Sequence, residues 1–249
     1  MTPTDVIEDL AAEQEHIESL LTKLSPADWR TPSAAAGWTI ADVVLHLAQT
    51  EEGVVAALGA GGRPSVRWGD YGSTVDEAMD AMVRDQRAEP AEVFERWRAA
   101  RRASVAALRG ADPRRPVPWV AAPLKPQALA TTRLAEHWAH AALDIAPPLG
   151  LDYPDTTRLR HVAWLGHRTL PYAFRLAGEP VVAVFCDLTA PDGSSWRFGD
   201  PAAENVISGS AGAFCRVGAR RLAPSASGLR TKGAYAEVAL RLLRNYAST

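Results

Sequence analysis

The sequence predicts a four-helix bundle in its N-terminal part, followed by a small α+β unit. Three observations carry this. Four long stretches of the first 150 residues repeat apolar side chains at helical spacing. The links between them are rich in proline and glycine. Around Pro154 the pattern changes to β-branched and aromatic runs bounded by turn residues. The expected division is residues 1–152 for the bundle and 153–249 for the α+β unit.

The first helix is announced by Thr2, Pro3, Thr4 and Asp5, a cap and an early proline, and continues through Val6, Leu10, Ile17, Leu20, Leu21 and Leu24. Ser25 to Asp28 opens a short turn. Thr39 to Asp42 has the form of a capping box with Asp in place of Glu, so a second helix is expected from Ile40 to Leu58, stopped by "GAGGRP". Residues 59–73 read as loop, and a weaker helix covers Thr74 to Arg87. Pro90 precedes a long helix whose apolar line is Val93, Trp97, Ala100, Val105 and Leu108. "ADPRRPVPWVAAPLKP" holds five prolines and reads as an irregular connection. The fourth long helix is expected over Leu129 to Ile145, ending at Pro147 and Pro148. Links of this length do not suit a simple hairpin series, so at least one crossover is expected.

In the second part, a helix is expected over Thr156 to Ala177. "VVAVFCDLTA" reads as a strand and "SSWRF" as its return after the turn signal "PDG". Two further helices are expected, Ser208 to Leu222 and Gly233 to Tyr246.

Bulk properties exclude several classes. The chain has 249 residues, 47% of them hydrophobic, and a net charge of −2, so no global field favours nucleic acid or an anionic membrane. No run approaches the length of a transmembrane helix, and the acidic N-terminus lacks the layout of a signal peptide. Cys186 and Cys215 form neither a CxxC pair nor a disulfide framework and read as buried free thiols of a cytoplasmic protein.

The chemistry-bearing stretch is "RLAEHWAHAALD", Arg133 to Asp144. Its apolar stripe is Leu134, Trp138, Ala141 and Ile145. The other side carries Glu136, His137, His140 and Asp144. Glu136 and His140 stand one turn apart on one face, a spacing that offers two ligands to a metal ion. The same spacing is most often a surface ion pair. His46, two turns into the second helix, is the best third ligand. A His/Glu/His set leaves a coordination position open, as catalytic zinc sites do. His137 points away and is expected at the rim or in solvent; His16, His161 and His167 read as structural. "RAARRAS", Arg98 to Ser104, reads either as a solvated basic face or as a receptor for an anionic substrate. No HExxH, G-x-S-x-G, P-loop or Rossmann fingerprint is present.

"GWTIADVVLHLA" resembles the segment of DinB-like proteins that carries their first metal-binding His. "LAEHWAHAALDIA" resembles the fourth-helix segment of the mycothiol-dependent maleylpyruvate isomerase branch. "RHVAWLGHRTLPYAF", "LTAPDGSSWRFGD" and "SGSAGAFCRVGARRL" look like successive pieces of a bacterial subfamily of that branch, one that carries a label about wyosine base formation. The resemblance covers nearly the whole chain. It implies a DinB-like bundle, with His46, Glu136 and His140 as ligands of zinc or another divalent metal. It also implies a catalytic arginine in "GARRL", either Arg220 or Arg221, of which Arg221 is the better match. "APSASGLRTKG" has no counterpart in it.

The function implied is a zinc-dependent enzyme of the mycothiol-dependent isomerase or thiol-transferase type, acting on a small, electrophilic, anionic substrate. Two alternatives stand beside it: a thiol-independent metal-dependent hydrolase, cyclase or isomerase, and a non-catalytic metal- or ligand-binding bundle. The expected partners are a small-molecule substrate and a low-molecular-weight thiol, without nucleic acid or membrane. The chain is expected to be a monomer or homodimer in the cytoplasm. Convergence of His46 with Glu136 and His140 is the condition on which both enzyme readings depend.

Overall fold

A computed structural model describes residues 5–59, 71–120 and 122–246. The expected cap at Thr2 to Thr4 and most of the glycine-rich segment over 59–73 lie outside the described residues. Contacts divide the chain into two compact units, one reaching to Tyr153 and one starting at Pro154.

The first unit contains α1 (Val6–Leu21), α2 (Ile40–Gly59), α3 (Val75–Asp85), α4 (Pro90–Gly110) and α5 (Pro126–Ala139). Helix α1 is capped by the Asp5 carboxylate, which accepts from the Ile7 N–H at 3.0 Å. It buries Leu10, Gln14, Ile17 and Leu21, the spacing of an amphipathic helix. The capping box of α2 forms as its sequence requires. Thr39 Oγ1 accepts from Asp42 N–H at 3.2 Å, and the Asp42 carboxylate accepts from Thr39 N–H at 2.9 Å. Arg87 closes on the same carboxylate through Nε at 2.8 Å and NH2 at 3.0 Å. Burial by itself would raise the Asp42 carboxyl, but Arg87 and Thr39 more than offset it and hold it below its usual value. Pro90 and Pro126 stand in the first turns of α4 and α5, where a missing N–H costs nothing.

Helix α2 packs chiefly on α4, and α1 on α5 and α4. Since α1 finds its main partners beyond α2, the link between them is a crossover rather than a hairpin. The core between these helices holds Leu10, Ile17, Ile40, Val43, Leu47, Trp97, Leu108, Leu129 and Leu134, each at most 1% exposed. The expected helix Leu129 to Ile145 differs in two ways. It begins earlier, at Pro126, and its last part, His140–Ile145, is a π-helical turn. Such turns inside α-helices are frequent at functional sites. The Ala34 N–H donates to the Asp144 carbonyl at 3.0 Å, which ties the loop before α2 to this turn.

The second unit contains α6 (Leu159–Leu176), β1 (Val184–Thr189), β2 (Ser195–Phe198), β3 (Asn205–Ser210), α7 (Ala211–Gly218), β4 (Arg230–Lys232) and α8 (Ala236–Leu242). The strands form one sheet in the order β2-β1-β3-β4. β1 is antiparallel to β2 and parallel to β3; β3 is antiparallel to β4. Val184, Cys186 and Leu188 alternate as the buried side of β1. α7 packs on β1 and β3, and α6 on α7 and α8. Gly199 turns the chain out of β2 at φ 88°, and a Cβ there would stand 2.5 Å from the Val184 carbonyl oxygen.

Two expectations are corrected here. The helix expected from Ser208 to Leu222 is strand β3 followed by the shorter α7. Ser210 is the switch: its Oγ caps α7 by accepting from the Ala213 N–H. The helix expected over Gly233 to Tyr246 is confined to Ala236–Leu242, and "APSASGLRTKG" supplies β4. Both cysteines are buried and free.

Candidate metal centre

The site lies wholly in the first unit, where α2 faces the end of α5 and its π-helical turn. The capping box starts α2 at Ile40, and His46 falls on the buried part of that helix, 7% exposed. Trp38, in the loop before α2, lies against the imidazole with ring centroids 5.1 Å apart, and its Nε1 donates to Asp80 of α3 at 3.0 Å. From the other side come Glu136, in the last turn of α5, and His140, at the start of the π turn. One ligand atom from each of His46, Glu136 and His140 lies within 4.8 Å of the others, and among the described residues this is the one such group. The convergence on which both enzyme readings depend is met.

His46 Nε2 stands 2.8 Å from Glu136 Oε1, yet that oxygen makes no hydrogen bond of proper geometry. His46 Nδ1 is also buried without a hydrogen-bond partner. A buried polar atom left without a partner is costly unless another group takes it up. Two imidazoles and a carboxylate are a donor set suited to zinc. The residues therefore fit a metal. Side-chain exposures of 9% for His46, 22% for Glu136 and 16% for His140 show that the cluster reaches solvent through Glu136 and His140.

His140 is oriented by Asp144, itself 1% exposed. Nδ1 of His140 lies 2.9 Å from Asp144 Oδ2, so it is the donor and Nε2 is left toward the cluster. This carboxylate–histidine arrangement recurs behind metal-bound histidines.

Behind Glu136 lies a buried polar network. Arg133 Nε donates to Glu51 Oε1 at 3.0 Å, and NH2 donates to Thr50 Oγ1 at 2.8 Å. NH1 of Arg133 pairs with Glu136 Oε2. The Ser104 hydroxyl of α4 donates to the second oxygen of Glu51. Burial would raise the Glu136 carboxyl, but Arg133 and His46 overcome it and hold it well below the usual carboxylate range. Burial lowers His46, so its imidazole is neutral at neutral pH.

His137 is corrected on its environment. It is expected at the rim or in solvent, but it is fully buried. Nδ1 lies 2.9 Å from the Arg133 carbonyl, and Nε2 accepts from Trp97 Nε1 at 3.3 Å. Both nitrogens are thus committed, which keeps His137 out of the ligand set. The basic run on α4 gathers on Glu18: Arg98 and Arg101 pair with it, and the exposed Arg102 stands 3.8 Å away. In the second unit, Arg221 is exposed just past α7, with its backbone N–H donating to the Arg216 carbonyl at 3.1 Å. Arg220 has φ 61° and donates to the Arg241 carbonyl at 3.1 Å.

Sequence reasoning missed Glu51. A signal was present, since Glu51 stands between Leu47 and Val54 on the buried stripe of α2. An acid there needs a buried partner.

Comparison with known proteins follows the same lines. The family model for the mycothiol maleylpyruvate isomerase N-terminal domain matches residues 10–146. An uncharacterized protein of Mycobacterium tuberculosis, from strain CDC 1551 / Oshkosh and equally from strain H37Rv, is 31% identical over 248 residues. The match covers 98% of this chain and 96% of the relative. Two crystal structures of mycothiol-dependent maleylpyruvate isomerase, one of them a mutant, share the fold with TM-scores of 0.64 and 0.62. Their identities are 15% and 16%, and 93% of each chain is covered. With its family-specific segment spanning the bundle and including His46, Glu136 and His140, the chain belongs to the mycothiol maleylpyruvate isomerase N-terminal domain family.

Proposed function

We propose that the protein is a metal-dependent, thiol-using enzyme of the isomerase or S-transferase type. It acts in the cytoplasm on a small anionic electrophile, with zinc held by His46, Glu136 and His140. The observation that carries this reading is the convergence of these three side chains, one ligand atom of each lying within 4.8 Å of the others. Family membership supplies mycothiol as the candidate thiol. Zinc, when bound, supplies the positive charge that favours the thiolate form of a thiol at neutral pH.

The chain's own residues have distinct tasks. His46 and His140 would each offer a ring nitrogen to the metal. Glu136 acts as a ligand rather than a general base, because a carboxyl held so far below neutrality is a poor proton acceptor. Asp144 holds the His140 tautomer. The nucleophile comes from outside the chain: Cys186 is buried with its thiol pushed up to about 12, and burial raises Cys215 as well. The external thiolate would add to an unsaturated carbon of the substrate. Elimination of the same thiolate after rotation gives isomerisation; displacement of a leaving group gives S-transfer. Arg221 is proposed to pair with the substrate's carboxylate, a task for which a guanidinium fork is suited.

The test is calorimetric titration of the purified chain with mycothiol, before and after metal removal by a chelator. The expected result is binding heat that depends on the metal. Turnover of an electrophilic substrate with no thiol present would instead support the thiol-independent alternative.

A further inference from the structure

We propose that Arg133 is a positioning residue for the metal centre. It takes one oxygen of Glu136, so that the carboxylate offers the ion Oε1 alone. This rests on the reading of His46, Glu136 and His140 as metal ligands.

The guanidinium is fixed at three corners. Nε is held by Glu51, NH2 by Thr50, and NH1 by Glu136. Each of these partners sits on a helix of the bundle: Glu51 and Thr50 on α2, Glu136 on α5. The anchor is itself anchored, since Glu51 accepts from Ser104 of α4 and Thr50 Oγ1 donates to the His46 carbonyl at 3.1 Å. Trp119 covers the guanidinium, with its ring centroid 5.5 Å from Cζ. Arg133 and Glu51 side chains are 3% and 0% exposed, so water does not compete for these bonds.

Two consequences follow from chemistry. First, Glu136 Oε2 is taken by Arg133 while Oε1 faces the cluster, 2.8 Å from His46 Nε2, so ligation would be through that single oxygen and the open position of a three-ligand site would be preserved. Second, Glu51 cancels the charge of Arg133. The cluster then keeps the negative charge of Glu136, with the Asp144 carboxylate behind His140, a suitable cradle for a divalent cation. A lysine would keep the charge but not the planar fork that reaches three partners at once.

The test uses the full chain. Zinc affinity is measured by competition with a chromophoric chelator, and coordination by visible absorption of the cobalt(II) form. Two variants are compared with wild type: Glu51→Leu with Arg133→Met, which removes the buried pair together, and Arg133→Lys. Both are expected to bind zinc about 10–100-fold more weakly. Their cobalt bands are expected to weaken, as Glu136 becomes free to bind through both oxygens and raises the coordination number. An unchanged cobalt spectrum in a folded variant overturns the proposal, with or without loss of affinity. If the double variant does not fold, Arg133→Lys decides. Failure of the metal reading looks different: wild type and His46→Ala would then bind zinc equally weakly.

Discussion

Nε2 of His46 and Oε1 of Glu136 lie 2.8 Å apart, although one belongs to α2 and the other to α5. Nothing local to either helix draws a histidine and a carboxylate together inside a bundle. The Thr39–Asp42 capping box starts α2 at Ile40, and Arg133 pairs with Glu136 from behind.

Asp144→Asn tests the support of His140. The amide keeps the shape but is a weaker partner for Nδ1–H than a carboxylate. Zinc affinity, measured by chelator competition, is expected to fall about 10–100-fold with the fold intact. Wild-type affinity in this variant would remove Asp144 from the account.

The Glu51–Arg133 pair tests the energetics of the buried network. Arg133→Met alone leaves Glu51 uncompensated in the interior, an expected loss of about 3–5 kcal/mol of stability. The Glu51→Leu/Arg133→Met double variant removes both charges and is expected to lose much less. Urea unfolding of the metal-free proteins measures both values, and equal losses would show that the pair does not act as a unit.

Loss of the α2 cap is a separate test. Asp42→Ala removes the acceptor for Thr39 N–H and the partner of Arg87. The expected cost is about 0.5–2 kcal/mol, seen as a lower urea midpoint with an unchanged slope.

Much of this was legible in the sequence, and the reasons are physical. The capping box is a local signal, and its two hydrogen bonds form as the spacing requires. Glu136 and His140 share a face because helical geometry places i and i+4 together. What stayed hidden depends on tertiary pairing. Glu51 and Arg133 meet across 82 positions. β4 is three residues held by its register on β3. The β3-to-α7 switch lies at the Ser-Gly-Ser run of "NVISGSAGAF", where Gly209 has φ 137° and Ser210 caps α7, a short break inside an otherwise apolar stretch. The π turn at His140 lacks a local signature; it is fixed by what its residues bury and bind. The environment of His137 was misjudged for the same reason. A polar residue on a helix looks solvent-facing until Trp97 and the Arg133 carbonyl are seen to satisfy it.

Acid should destabilise the metal-free protein by a definite route. His137 is buried, and its folded pKa is below its usual 6.5. The unfolded state therefore binds more protons as pH falls through 6.5, and stability rises with pH in that window. Asp42, held below 3.8, adds a second loss at lower pH. The melting temperature is expected to fall between pH 7.5 and about 5.5, and less steeply in His137→Gln. A wild-type melting temperature that rises over that interval contradicts the assignment of His137 as buried and neutral.

Arg221→Ala separates metal binding from turnover. Zinc content is expected to stay at the wild-type level, with kcat on an anionic substrate reduced about 100-fold. Loss of helical and sheet signal in circular dichroism would instead make Arg221 a structural residue of the second unit.

The most direct measurement is elemental analysis of metal in purified wild type, His46→Ala and His140→Ala, each confirmed as folded by circular dichroism. The account predicts stoichiometric zinc in wild type and its loss in both variants. Zinc retained at the wild-type level in both variants, or wild type that takes up no divalent metal when supplied with it, would contradict a metal centre built from His46, Glu136 and His140.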